Sequence, residues 1–166
     1  MKAMSDYLAR TSWIAAQGRD TASVLVMAPM SAADGACDLT SPDGGAALAD
    51  IEHSYRAIIE ELTVEHIACH IGDERITGRY GEVIGDTLRI GYGDYTTVIL
   101  PPAPSWRGPV VELLESFTGQ IIIMGEAPGM VDGKPSDRIT RLAQQANVTV
   151  LSGGPAEAAA AITASQ

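Results

Sequence analysis

The sequence predicts an α/β fold, a parallel sheet with helices on both faces, and three observations predict it. Short apolar runs alternate with segments whose apolar residues recur every three or four positions, which is the pattern of βα units. The runs Ser23–Ala28, Tyr95–Leu100 and Ile121–Met124 are apolar with little polar alternation, as strands buried on both faces are. Turn residues close them: Pro29, Pro101-Pro102 and Gly125. The chain has 166 residues, 46% hydrophobic and 19% charged, which suits one domain with a single sizeable core. The expected division is a leading helix over 1–20 and a βα core over 23–164.

Each element follows from local sequence. Ser5 to Gln17 reads as a helix, with Ser5 as its cap and Gly18 as its stop. Its rough stripe is Tyr7, Leu8, Trp13 and Ile14. The first strand is Ser23–Ala28. Residues 29–46 form a Gly-, Ser-, Asp- and Pro-rich loop of 18 residues, a length usually tied to function or disorder. From Ala47 to Glu65 runs a long helix, with Leu48, Ile51, Tyr55, Ile58, Ile59 and Leu62 on one face. The second strand is His66–Ile71, and residues 72–76 turn the chain out of it. Glu82–Ile84 and Thr87–Ile90 flank Gly85-Asp86 as a short hairpin. Tyr95–Leu100 is the third main strand. Ser105–Phe117 is a helix with Pro109 confined to its first turn. Ile121–Met124 is the fourth strand, the loop Gly125–Pro135 follows, and a helix runs from Ser136 to Ala146. Val148–Leu151 is the fifth strand, and an Ala-rich helix follows Gly153-Gly154-Pro155.

Five βα units of this kind, with right-handed crossovers, most simply give the flavodoxin-like three-layer sandwich. The parallel strands then take the order 2-1-3-4-5, with the β-hairpin inserted before the third strand. Ligands of such sheets bind beyond the carboxyl ends of the strands, near the reversal of strand order. That rim is built from residues 29–46, 101–107 and 125–135. It carries Asp34, Asp38, Asp43, Trp106, Glu126 and Asp132 as candidate ligand or interdomain residues, and Arg107 and Lys134 as its cations.

Eleven Lys and Arg against 21 Asp and Glu give a formal net charge of −10. A field of that sign repels phosphate backbones, which argues against nucleic acid and anionic membrane as partners. No apolar run approaches the length of a membrane span, and the first residues lack the apolar region of a signal peptide. Cys37 and Cys69 are the only cysteines, so a reducing, cytoplasmic setting is expected.

Known chemistries find little footing, and no cofactor, metal ion or catalytic residue is expected. Neither a Walker A motif nor GxGxxG is present, and the loop after the first strand carries three aspartates and no cation. Carboxylates beside a phosphate repel it, which argues against FMN and nucleotides. The turn after the fourth strand, Met124-Gly125-Glu126-Ala127-Pro128-Gly129, has the glycines of a nucleophile elbow but neither Ser nor Cys. His66 and His70 share a strand face about 13 Å apart, too far for one ion, so strand-end hydrogen bonding is the expected role. Glu126 and Asp132 share a loop, but a glycosidase pair needs a defined separation, and solvated loop carboxylates are the simpler reading.

Several stretches resemble a domain of large bacterial glycoside hydrolases of the rhamnosidase and related types. They are Tyr7-Leu8-Ala9-Arg10-Thr11-Ser12-Trp13 with Gln17-Gly18-Arg19, then Val24-Leu25-Val26 ending in Pro29-Met30. Next come Gly72-Asp73-Glu74, then Tyr95 before Val98-Ile99-Leu100-Pro101-Pro102, and Gly125-Glu126-x-Pro128 followed by Val131-Asp132-Gly133. The resemblance implies a class I glutamine amidotransferase-like fold, also used in the trimerisation domain of some β-galactosidases. It implies a place after a catalytic barrel that carries the catalytic carboxylates. The sequence departs from glutamine amidotransferases in lacking an elbow Cys and any His after residue 70.

Two functions are therefore expected to compete. One is a non-catalytic accessory domain of a carbohydrate-active enzyme, a fragment of a longer chain. Its partner would be the catalytic domain of the same enzyme, and its rim would touch that domain or carbohydrate. The other is a stand-alone flavodoxin-like module that binds a small molecule. The first helix carries large apolar groups outside the five-unit pattern, so a homo-oligomer through that helix or the hairpin is a further expectation.

Overall fold

The computed structural model describes residues 2–18, 20–42 and 44–164. Helix α1 (Lys2–Ala15) leads into β1 (Val24–Ala28), α2 (Met30–Ala36), α3 (Ala46–Val64) and β2 (Cys69–Asp73). Then come α4 (Glu74–Tyr80), β3 (Gly81–Ile84), β4 (Thr87–Ile90), β5 (Gly93–Tyr95), β6 (Thr97–Leu100) and β7 (Ser105–Trp106). Helix α5 (Gly108–Ser116) precedes β8 (Gln120–Met124), β9 (Met130–Val131) and β10 (Lys134–Pro135). The chain closes with α6 (Arg138–Leu142), β11 (Val148–Leu151) and α7 (Pro155–Thr163).

The central sheet has five strands in the order β11-β8-β6-β1-β2, and every pair in it is parallel. In terms of the five main strands this is 2-1-3-4-5. Alternate strand residues enter two separate cores. Val24, Val26, Ile99, Ile122 and Met124 meet Ile58 and Leu62 of α3 and Ala158, Ala159 and Ile162 of α7. Leu25, Met27, Val98, Leu100, Ile121 and Ile123 meet Val110, Val111 and Leu114 of α5 and Ile139 and Leu142 of α6. Each of the large aliphatic groups fully buried this way contributes roughly 1.5–3 kcal/mol.

Several boundaries differ from the sequence reading. The loop over 29–46 contains a helix, α2, which starts directly after Pro29. Its sequence, Met30-Ser-Ala-Ala-Asp-Gly-Ala, is rich in good helix formers, and Gly35 disguised it. The second strand begins three residues later than His66, because His66 takes a positive φ of 57° in leaving α3. Residues 74–80 are a helix rather than a turn. The Asp73 carboxylate accepts the backbone N–H groups of Arg75 and Ile76, both at 2.8 Å, which is an ordinary N-cap. The expected hairpin is a three-stranded antiparallel sheet, β3-β4-β5, and Tyr95 ends β5 instead of starting β6. Ser105 and Trp106 join β9 and β10 in a small third sheet, so the helix that follows begins at Gly108, with Pro109 in its first turn as expected. Helix α1 starts before Ser5, which places Ser5 inside it rather than at its cap.

Helix α1 buries none of its residues. Met4, Tyr7, Leu8, Trp13 and Ile14 are each more than half exposed. At about 100° per residue, Met4, Tyr7, Leu8 and Ile14 share one side, and Trp13 lies on the other. The expected single stripe is thus two apolar surfaces, neither of them covered by the described residues. No described helix is long and apolar enough to cross a membrane.

Candidate functional site

A cleft of about 630 Å³ opens at the carboxyl edge of the sheet. It lies where strand order reverses, between the segment after β1 and the segment after β6. Ser31, Ala32, Gly35 and Ala36 of α2 form one wall. Ser105 and Arg107 form a second, and Met130, Asp132 and Gly133 close the third. All three rim segments expected from the sequence contribute to it.

The organising group is one the sequence reading did not select. Glu74, the first residue of α4, is only 1% exposed. It accepts the Ser31 backbone N–H at 2.9 Å and the Arg107 backbone N–H at 3.0 Å. The Ser31 hydroxyl lies 2.9 and 2.8 Å from its two oxygens and donates to it as well. Glu74 only accepts, as an ionised carboxylate does, and each such bond to a charged group is worth about 1.5–3 kcal/mol. The carboxylate therefore ties α2 to the start of α5 beneath the cleft floor. A signal for it existed in the sequence: an acidic pair, Asp73-Glu74, at the carboxyl end of a strand beside the order reversal.

Asp132 is the rim candidate that lines this cleft. It holds a positive φ of 51°, a conformation that Asp tolerates better than most side chains. Its backbone N–H donates to Trp106 O at 2.9 Å, and its Oδ1 accepts the Gly108 N–H at 3.0 Å. The Gly133 N–H donates to Ser105 Oγ at 3.0 Å. Trp106, expected at the rim, is 1% exposed and packs in the core. Its Nε1 has no hydrogen-bond partner, a deficit of about 1–3 kcal/mol for a buried donor. Asp34 is exposed on α2, and Glu126 is exposed in the loop after β8. Asp38 is also exposed and accepts from Thr40, through its N–H at 2.9 Å and its hydroxyl at 2.7 Å. Those two bonds hold its carboxyl below the usual carboxylate range. Asp43 lies outside the described residues.

None of the three histidines lines the cleft, and of the two serines that do, Ser31 donates to Glu74 and Ser105 accepts the Gly133 N–H. Glu126 and Asp132 are not brought together in it. Among the described residues no group of His, Cys, Asp and Glu is placed to hold a metal ion.

The opposite edge of the sheet carries a second polar assembly. Asp20 precedes β1, His70 lies on β2 and Tyr95 ends β5. His70 Nε2 is 2.8 Å from Asp20 Oδ2, and His70 Nδ1 is 2.9 Å from Tyr95 Oη. In the neutral ring this fixes the tautomer: Nε2–H donates to the carboxylate, and Nδ1 accepts the phenol proton. Asp20 Oδ1 also accepts the Ala22 N–H at 2.9 Å. That bond first, and His70 second, hold the Asp20 carboxyl below its ordinary value. Partial burial pushes the Tyr95 phenol up, helped by the Asp20 charge. The strand-end role expected of His70 is what the ring performs, but its partners lie 50 and 25 residues away, beyond the reach of any local pattern. No family model matches the chain, and neither a curated protein nor a solved structure matches it.

Proposed function

We propose that the chain is a non-catalytic accessory domain of a larger carbohydrate-active enzyme, of the glycoside hydrolase type that its motifs resemble. Its flavodoxin-like, glutamine amidotransferase-like sandwich would pack against the catalytic domain of the same enzyme. The observation that carries this reading is α1. A helix with large apolar groups on two sides and none of them buried is suited to meeting another body. The carboxyl-edge cleft agrees with it, since its buried carboxylate is engaged by the chain's own donors. The assignment to glycoside hydrolases rests on the resemblance alone. Two free cysteines, Cys37 exposed and Cys69 half-buried, suit a reducing cytoplasmic setting.

The test has two arms. The purified chain should hydrolyse no aryl-glycoside. In light scattering at micromolar concentration it should run larger than a monomer, because α1 lacks its cover. Turnover that survives purification and disappears in Glu126→Gln or Asp132→Asn would overturn the reading. A second reading, a stand-alone small-molecule module, is favoured by one feature, the cleft of about 630 Å³ at the order reversal. A flavin or nucleotide that raises the melting temperature, and loses that effect in Arg107→Ala, would select it.

A further inference from the structure

We propose that the cleft at the amino edge of the sheet binds a neutral saccharide. The cleft measures about 790 Å³, larger than the one at the carboxyl edge. Its polar wall is Asp20, His70, Arg89, Asp94 and Tyr95, and its outer lip is Tyr92. The proposal rests on this wall and lip and not on the enzyme to which the domain is assigned.

The wall is organised before any ligand arrives. Arg89 Nε and Nη2 donate to the two oxygens of Asp94 at 2.6 and 3.1 Å. Asp20, His70 and Tyr95 form the connected row already described, and the His70 ring stands edge-on to Tyr95 with centroids 5.7 Å apart. Groups fixed in this way lose little freedom on binding. A guanidinium has five N–H donors, and the bond pair to Asp94 engages two of them.

Tyr92 lies in the two-residue turn between β4 and β5, directly after Gly91, whose φ is +60°. Glycine at the first turn position suits a tight hairpin. The turn projects Tyr92 so far that it is fully exposed. A whole aromatic ring in water beside a polar cleft offers a flat apolar face, and a sugar ring presents C–H groups of matching shape.

Charge narrows the ligand class. Among the described residues, each carboxylate of the wall stands beside a basic group, Asp20 beside the His70 imidazole and Asp94 beside the Arg89 guanidinium. An anion would face Asp20 and Asp94, and a cation would face Arg89. A neutral ligand with adjacent hydroxyls donates to the carboxylates and accepts from the guanidinium, so no bare charge is desolvated.

The experiment follows backbone amide shifts of the full chain during titration with the methyl glycosides of glucose, galactose and rhamnose, with inorganic phosphate and citrate as anionic controls. At least one glycoside should move Thr21, Gly91 and Gly93 in a saturable way. Tyr92→Ala, at an exposed tip that the fold does not need, should weaken that binding about tenfold, and Arg89→Gln should weaken it comparably. Binding at Ser31 and Gly133 instead would overturn the proposal. So would shifts caused only by phosphate or citrate, an unchanged affinity in Tyr92→Ala, or no shift with any glycoside.

Discussion

At the carboxyl end of the sheet, Glu74 is buried and gathers donors from helix α2 and from the start of α5, 43 and 33 residues away. At the amino end, the Asp20 side chain is 65% exposed and gathers one N–H from its own turn and one imidazole. Both carboxylates join segments that lie far apart in sequence. They differ in what replaces a lost partner. Water reaches Asp20 and His70 and can take over their hydrogen bonds, whereas Glu74 itself is closed to it. Burial, more than the number of bonds, therefore separates a structural carboxylate from a replaceable one.

The sharpest way to break this comparison is Glu74→Ala. It leaves the Ser31 and Arg107 N–H groups without their acceptor, and the expected loss is about 3 kcal/mol or more in urea unfolding. Glu74→Gln keeps the shape but turns an NH₂ toward donors, so it should recover only part of the loss. A loss under about 0.5 kcal/mol for Glu74→Ala would show that water does reach this site. Next in size is Tyr95→Phe, which removes the phenol proton from His70 Nδ1. Because the ring is partly solvated, the expected cost is about 1 kcal/mol, read from the same unfolding curves.

A smaller effect belongs to Asp20. Its carboxyl is lowered in the folded chain, so its contribution is complete above the unfolded value, about 3.9. The contribution is lost as pH falls through the folded value. The gap in unfolding midpoint between the native chain and Asp20→Asn should therefore close between about pH 5 and pH 2. A gap that widened on acidification would reverse the assignment. The smallest effect is expected at α1. Leu8→Ser should change the stability of the monomer by less than about 0.5 kcal/mol, since Leu8 is 54% exposed, while reducing any self-association seen by light scattering.

The central strands were legible because they are buried on both faces. Val24–Ala28 and Ile121–Met124 can be read as unbroken apolar runs, and their order followed from βα connectivity. What escaped was decided by single residues or by distant ones. Pro29 and Gly35 made α2 look like loop, although Pro29 simply precedes the helix. Asp73 was read as part of a turn when it caps α4. Strands of two residues, such as Ser105–Trp106, carry no period at all and form only because β9 lies beside them. The carboxyl-edge cleft was placed by topology, but Glu74 was missed because its donors, Ser31 and Arg107, lie on elements distant in sequence. Trp106 was misplaced at the rim because strand β7 turns its ring inward.

The two tryptophans of the chain sit in opposite surroundings. Trp13 is 67% exposed on α1, while Trp106 is 1% exposed with an unpartnered Nε1. An indole in an apolar core that donates no hydrogen bond emits at shorter wavelength than one in water. The intrinsic fluorescence of the protein should accordingly contain two separable bands. Acrylamide should remove the red one and spare the blue one. Denaturant should shift the blue band as the core opens. A partner that covers α1 should protect the red band while leaving the blue one where it is, so one spectrum distinguishes docking from folding without any added label.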